Sequence, residues 1–409
     1  MKYVIIGAGA AGMTAAKTIR AHSPGACIVL ISEDAKVHSR CMLYKYISGE
    51  RDEAELNFVP EDFFETNNIK WISGTKVNNV DISTKTLKYG HDTINYDKLL
   101  IAAGAVSTDV SVTALNGAKN VYGLRDLPDA RAIRNAAVGA DSKRAVVIGA
   151  GFVGLAAAYA LSKLGTNVTI VEMGAHLLPH NLDERAASTY QERFETAGCK
   201  FSFGRKVVDA TLDGNGNAER LILDDGSDLL CDFVVSASGV RPAVAFLEGS
   251  KIASERGVEV DNHMMTNCQD VYAAGDITGL SGIWPNAMRQ GEIAAKNMCG
   301  ITEQYNDSFS AKNTVNFFGL ITLALGASDP EADDTVESYD DKRGYRKIIM
   351  RKGRVVGVLM QGDIAHSGFW QYIIKNEIPI DNLKKSVHKV SFADFCGVDE
   401  QGKYYYAVD

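Results

Sequence analysis

The chain opens on an unbroken apolar run, Tyr3-Val4-Ile5-Ile6, which has the length and uniformity of a strand covered on both faces. Gly7-Ala8-Gly9-Ala10-Ala11-Gly12 follows. Then comes Met13-Thr14-Ala15-Ala16, whose small side chains let a helix pack closely on a sheet. A second apolar run, Ile28-Val29-Leu30-Ile31, leads to Glu33. The same succession returns later. Ala145-Val146-Val147-Ile148 feeds Gly149-Ala150-Gly151-Phe152-Val153-Gly154, a small-residue helix begins at Leu155-Ala156-Ala157-Ala158, and Val168-Thr169-Ile170-Val171 ends at Glu172. Strand, glycine turn, helix and strand thus occur twice, which predicts an α/β protein with an internal repeat.

Elements are predicted between and beyond these units. Residues 60–72 read as a helix and a strand, and 76–101 as short strands closing before Gly104. Helices are expected over 126–138 and 183–197, and Phe233-Val234-Val235 reads as a strand running to Gly239. From about residue 311 the character changes. Residues 345–350 and 355–360 alternate as a hairpin across Lys352-Gly353, which suggests a third, smaller α+β domain. The acidic run 329–341 reads as a solvated loop. Phe369-Trp370-Gln371-Tyr372-Ile373 reads as a helical face turned to a core, with an interface as the alternative.

Each GxGxxG turn carries a mechanism. The glycines permit a tight turn and close backbone approach to a pyrophosphate, and the following helix offers unpaired N–H groups and a partial positive charge. Glu33 and Glu172 each lie roughly 20 residues beyond their glycines, where a carboxylate accepts hydrogen bonds from ribose hydroxyls. Gly7, Gly9, Gly12 and Glu33 form one candidate dinucleotide site, and Gly149, Gly151, Gly154 and Glu172 the other.

Composition narrows the classes. The 409 residues exceed one hydrophobic core, so two or three domains are expected. Forty-three basic against 51 acidic residues give a net charge of -8, which argues against nucleic-acid binding. No apolar run approaches the roughly 20 residues of a membrane helix, and the amino terminus runs straight into a strand, so a cytoplasmic location is expected. The seven cysteines form no CxxC or CxxxxC pair, so no disulfide scaffold and no local zinc or iron–sulfur motif is expected, and most read as buried apolar fillers.

Three further segments bring a resemblance into view: Ile101-Ala102-Ala103-Gly104, Ala237-Ser238-Gly239-Val240-Arg241-Pro242 and Val271-Tyr272-Ala273-Ala274-Gly275-Asp276. With the two glycine units they resemble the pyridine-nucleotide–disulfide oxidoreductase superfamily over essentially the whole chain. The tail, with Val315-Asn316-Phe317-Phe318-Gly319, is similar to the branch of NADH oxidases, rubredoxin reductases and the FAD–NAD oxidoreductases that work beside carbon monoxide dehydrogenase. The resemblance implies two nested Rossmann-like domains: an FAD-binding domain over 1–112 and 243–310, and an NAD(P)-binding domain over 113–242. A C-terminal interface domain over 311–409 completes the chain, with a homodimer as one outcome. It assigns FAD to Gly7, Gly9, Gly12 and Glu33, with Val77 at the adenine, Asp276 at the ribityl chain and Gly104 and Gly275 beside them. It places the helix starting near Trp284 and Asn286 with its amino terminus toward the flavin pyrimidine, where it favours the charge of the reduced ring. NAD(P) falls to the second unit and Gly239. Glu172 repels a 2′-phosphate and no arginine follows it, so NADH is expected over NADPH.

The other half-reaction has three candidates. The segment His38-Ser39-Arg40-Cys41-Met42-Leu43-Tyr44-Lys45 is similar to the region that holds a redox cysteine in NADH oxidases, peroxidases and coenzyme A disulfide reductases. Arg40, beside Cys41, is expected to favour the thiolate. In the rubredoxin- and ferredoxin-reductase branch the segment ends in a lysine near the flavin, matched by Lys45. The glutamate that usually pairs with it is replaced by Ala156, so Lys45 is expected to find another acid, face water or lie against the flavin. The absence of a paired disulfide and the short tail favour an NADH oxidoreductase exchanging electrons with a small iron–sulfur carrier. An oxidase or disulfide reductase using Cys41, and an electron-relay subunit of a larger complex, remain the alternatives.

Overall fold

Strand Lys2–Ile6 lies at the centre of a five-stranded sheet in the order Val271–Ala273, Lys98–Ile101, Lys2–Ile6, Cys27–Ile31, Ile69–Ile72, all parallel. Its side chains alternate between two cores. Tyr3 and Ile5 join the cluster that includes Ala15, Ile19, Ala294 and Met298, while Val4 and Ile6 join Val80, Leu87, Leu247 and Ile277. Both faces are covered, which is why the run is apolar without a polar phase. Burying each such side chain contributes about 1.5–3 kcal/mol.

The computed structural model describes residues 1–108, 112–138, 143–306, 312–380, 383, 385–398, 400–401 and 403–406. Its contacts gather into two units. One comprises Met1–Gly149, Val153–Val171 and Arg205–Asn306, the other Ala150–Phe152, Glu172–Gly204 and Asp307–Asp409.

In the first unit, helices Ala10–His22 and Trp284–Met298 cross on one face of the central sheet. The crossing is close because position 291 has no side chain: a Cβ on Gly291 would lie 2.2 Å from the Ala11 carbonyl oxygen. The other face carries an antiparallel sheet of Val77–Asp81, Thr86–Tyr89 and Asp92–Asn95, as the short apolar runs suggest. A second parallel array places Asn167–Glu172, Arg144–Ile148, Phe233–Ser236 and Val121–Tyr122 side by side. Helix Leu127–Ala137 starts at Asp126, whose side chain accepts from Asp129 N, with Pro128 in the first turn.

In the second unit, five antiparallel strands run in the order Lys312–Phe317, Leu320–Gly326, Arg354–Gly362, Gly344–Arg351, Thr335–Asp341. The expected hairpin is its 344–362 portion. Helix Ser367–Lys375 buries Phe369, Trp370 and Ile373 in this unit's core, so the stretch is a core face. The acidic run corrects the loop expectation. Residues Thr335–Asp341 form an edge strand, because each pairs with the neighbouring strand while most of its side chains stay in water. Helix Glu184–Thr196 is capped by Asp183, which accepts from Ala186 N and from the Tyr345 hydroxyl.

The cysteines also depart from expectation. Only Cys199 and Cys231 are buried, while Cys27, Cys41 and Cys396 are exposed, and all seven are thiols. Among the described residues no helix is long and apolar enough to cross a membrane.

Candidate functional site

A cleft of about 410 Å³ opens in the first unit at the carboxyl ends of the parallel strands, where open α/β sheets take their ligands. It is lined by the turns that follow four strands: Gly7 to Ala11, Ser32 to Asp34, Ala102 to Gly104, and Ala274 to Asp276. The volume lies in the range of cofactor sites, about 300–1,000 Å³.

The first glycine turn is built for a close approach. Gly7 has φ +105°, and a Cβ there would lie 2.2 Å from the Ala102 carbonyl oxygen. A Cβ on Gly12 would lie 1.9 Å from the Gly7 oxygen, so the helix is drawn tightly onto the turn. Gly9 differs: its missing side chain leaves open space, with Arg40 Nη1 the nearest atom at 3.8 Å. Gly9 caps helix Ala10–His22 with no side-chain bond, leaving first-turn N–H groups for an anion. Arg40 reaches over this turn. Its Nη2 donates to Asp34 Oδ2 at 2.7 Å, and its buried Nε has no protein partner. Glu33 lines the same end and is exposed, with Lys76 Nζ 3.6 Å away, and Val77 closes that end almost fully buried. An open cradle, an orphan cationic N–H and a carboxylate at the second strand suit an adenine dinucleotide.

At the other end stand Cys41, Arg125 and Asp276. Arg125 Nη2 donates to Asp276 Oδ2 at 2.8 Å and its Nε to the Ala105 carbonyl at 2.9 Å. Sequence reasoning missed Arg125. The only signal was its place two residues before the helix at 127, which does not separate it from surface cations. Cys41 faces the open cleft but is otherwise enclosed by protein. Its thiol corrects the expectation of a favoured thiolate: burial, then the negative charge of Asp276, raise its pKa, and they outweigh Arg125 and Arg40. Cys41 is the only cysteine lining the cleft among the described residues. Gly104 and Gly275 line it. Asn286 does not; its Nδ2 donates to Ser281 Oγ at 3.1 Å, while Trp284 and Ala287 on either side reach the cleft.

Lys45 lies on the short helix Leu43–Ser48 and is absent from the cleft lining. The acid it lacks from position 156 is supplied by Glu50, whose Oε2 lies 3.8 Å from Lys45 Nζ. Glu50 is held in turn by the Tyr159 hydroxyl, 3.2 Å from Oε1, and the Tyr159 ring meets Tyr44 edge-on at 5.9 Å. Burial, reinforced by Glu50, pushes the Tyr159 phenol to about 12.

The second glycine turn repeats the first. In the first unit, a Cβ on Gly154 would lie 1.9 Å from the Gly149 oxygen, and one on Gly149 2.7 Å from the Ala237 oxygen. Gly239 accepts from Thr108 N at 3.0 Å. In the second unit, Gly151 faces open space. There Glu172 accepts from Ala150 N through Oε2 and from Gly174 N through Oε1, each at 2.7 Å. Its carboxylate is therefore locked beside the turn. Met173, which follows, is 73% exposed and carries no charge, so no cation stands there against a phosphate.

Residues 1–291 match the pyridine nucleotide-disulphide oxidoreductase family. The chain belongs to that family. It is an FAD-dependent NAD(P)H oxidoreductase with a mixed α/β fold of Rossmann-like domains. It is 31% identical over 400 residues to the NADH-dependent phenylglyoxylate dehydrogenase subunit epsilon of Aromatoleum evansii, covering 94% of this chain and 93% of that one. It is 27% identical to the NADH-rubredoxin oxidoreductase of Clostridium acetobutylicum, covering 93% and 96%. Among solved structures, an NAD-dependent persulfide reductase from A. fulgidus superposes with a TM-score of 0.84 at 25% identity, covering 94% of this chain and 79% of that one. The chain spans about half the length of two other relatives, 48% of a nitrite reductase and 44% of a nitrate reductase electron transfer subunit, both of Bacillus subtilis.

Proposed function

We propose that the protein moves electrons between NADH and a small iron–sulfur carrier through FAD held in the cleft of the first unit. The observation that carries this reading is the solitary Cys41. No second thiol lines the cleft among the described residues, and Cys41 itself is held toward the protonated form. A disulfide relay therefore has neither its partner nor a ready thiolate. The name of the Clostridium relative, an NADH-rubredoxin oxidoreductase, points to the same kind of acceptor.

Bound FAD supplies the conversion of a hydride pair into singly transferred electrons. The chain's own residues position and charge-balance the site. Gly9 and the first turn of helix Ala10–His22 receive the pyrophosphate, Arg40 covers it, and Glu33 takes the adenosine ribose. Arg125 and Asp276 fix the opposite end of the cofactor. In the first unit Gly149 and Gly154 would let a second dinucleotide approach; in the second unit Gly151 leaves its turn open, and the locked Glu172 carboxylate would accept from a ribose hydroxyl while repelling a 2′-phosphate.

A second reading is favoured by one observation. The relative matched over 94% of this chain at 31% identity is named as a subunit. The protein would then pass electrons within a larger assembly, and its iron–sulfur partner would be another subunit. Anaerobic stopped-flow spectroscopy tests the main reading: NADH should reduce the bound flavin, and ferredoxin or rubredoxin should reoxidise it faster than oxygen does. If every carrier is slower than oxygen, the reading fails. Rapid reduction by NADH with reoxidation only by a co-purifying partner would support the subunit reading instead.

A further inference from the structure

Gln290 is fully buried on helix Trp284–Met298, behind the cleft. Its Oε1 accepts from Gly275 N at 2.7 Å, and the Thr278 hydroxyl lies 3.5 Å from the same oxygen. Because an N–H can only donate, this contact fixes which end of the amide faces the turn. The other end, Nε2, is buried without a hydrogen-bond partner. A buried orphan donor is unfavourable and calls for an explanation.

The turn that Gln290 Oε1 holds, fifteen residues earlier in the chain, leads into the cleft. Gly275 has φ +83° and ψ -158°, a backbone conformation open to glycine, and it begins the 3-10 turn Asp276–Thr278. Thr278 closes that turn by donating to the Gly275 carbonyl from both N and Oγ1. Asp276 leaves the turn into the cleft and meets Arg125. The neighbour of Gln290, Gly291, is pressed against the backbone at Ala11, so the amide is mounted on the same helix crossing that carries the first glycine turn.

We propose that Gln290 is the positioning residue of this flavin cleft: by holding the Gly275 N–H it sets the direction of the Asp276 carboxylate and, through it, the seat of the cofactor. A neutral amide accepts from the Gly275 N–H without adding a charge to a fully buried position. The inference rests on the flavin assignment of the cleft alone, so failure of the carrier reading leaves it standing.

The test uses the full-length protein, stripped of flavin and titrated with FAD by fluorescence, with the wild type as control. Gln290→Met keeps length and volume but removes the acceptor. It should weaken FAD binding about tenfold, the scale of one buried hydrogen bond, and alter the visible band shape of the bound flavin. Asp276→Asn should weaken binding on its own, and the double variant should be no weaker than Asp276→Asn. Unchanged binding in Gln290→Met, or losses that simply add, would overturn the proposal. Gln290→Glu guards against a variant that fails to fold. Its neutral carboxyl can still accept from Gly275, so FAD should bind near wild-type strength at low pH and weaken more steeply than the wild type as pH rises. If its binding matches that of Gln290→Met at every pH, the acceptor has no part in seating the cofactor.

Discussion

Arg125 Nη2 and Asp276 Oδ2 meet at 2.8 Å although 151 positions separate them in sequence. Each side chain is only about a fifth exposed, at 22% and 23%, so the pair is partly desolvated. Arg125→Ala would leave Asp276 facing the cleft unpaired, at a cost of about 1–3 kcal/mol. The expected outcome is an FAD dissociation constant raised about tenfold, with an intact far-ultraviolet spectrum. Flavin fluorescence on reconstitution measures it, and an unaltered constant would remove Arg125 from the site.

Glu172 is expected to govern the choice of pyridine nucleotide. Both of its oxygens are engaged by backbone N–H groups, so the charge cannot swing away from an incoming 2′-phosphate. The wild type should therefore prefer NADH. Glu172→Ala combined with Met173→Arg should shift the ratio of kcat/KM values toward NADPH by about tenfold or more. Steady-state kinetics with both nucleotides decides this, and an NADPH preference in the wild type would contradict it.

The Cys41 thiol is displaced upward, first by burial and then by Asp276. A raised pKa means less thiolate at a given pH. Alkylation of Cys41 by iodoacetamide, followed by peptide mass spectrometry, should therefore rise only above the ordinary thiol range, near about 8.5. Asp276→Asn removes one of the raising causes, so the profile should move to lower pH. Cys41→Ser should reduce flavin with NADH within about twofold of the wild type, as expected of a group outside the transfer. A profile centred below the ordinary range would revive the thiol-based reading.

Lys45 and Glu50 are each about a third exposed and 3.8 Å apart, so their pairing adds little stability, about 0–1 kcal/mol. Glu50→Gln should leave the melting temperature nearly unchanged. If Lys45 acts at the flavin, the same substitution and Tyr159→Phe should each slow flavin reduction several-fold, in stopped-flow traces under saturating NADH. Wild-type rates in Glu50→Gln, Tyr159→Phe and Lys45→Ala would take the lysine out of the reaction.

The repeat was legible because it is written in local chemistry. The apolar runs at 3–6 and 145–148, the glycines and the acids at 33 and 172 each act within one strand–turn–helix unit, and short-range geometry decides them. The acidic strand 335–341 was misread for the opposite reason. Its backbone is recruited by pairing with Gly344–Arg351, and its side chains carry no sign of that. Arg125, Glu50 and Gln290 were hidden for a related reason. Each acts on a residue brought near by the fold, and each looks in sequence like an ordinary surface or helix residue. The Cys41 thiol was judged from its neighbour Arg40 alone, whereas burial and distant Asp276 set its direction.

A single cysteine in the cleft, among the described residues, also limits how much reducing power one molecule can store. Enzymes that pair a flavin with a disulfide can bank two hydride equivalents before handing any on. Here the cofactor is the whole reservoir, so each load from the nucleotide must be discharged before another is accepted. In the proposed carrier reading, turnover then depends on discharge to the partner as much as on loading from the nucleotide.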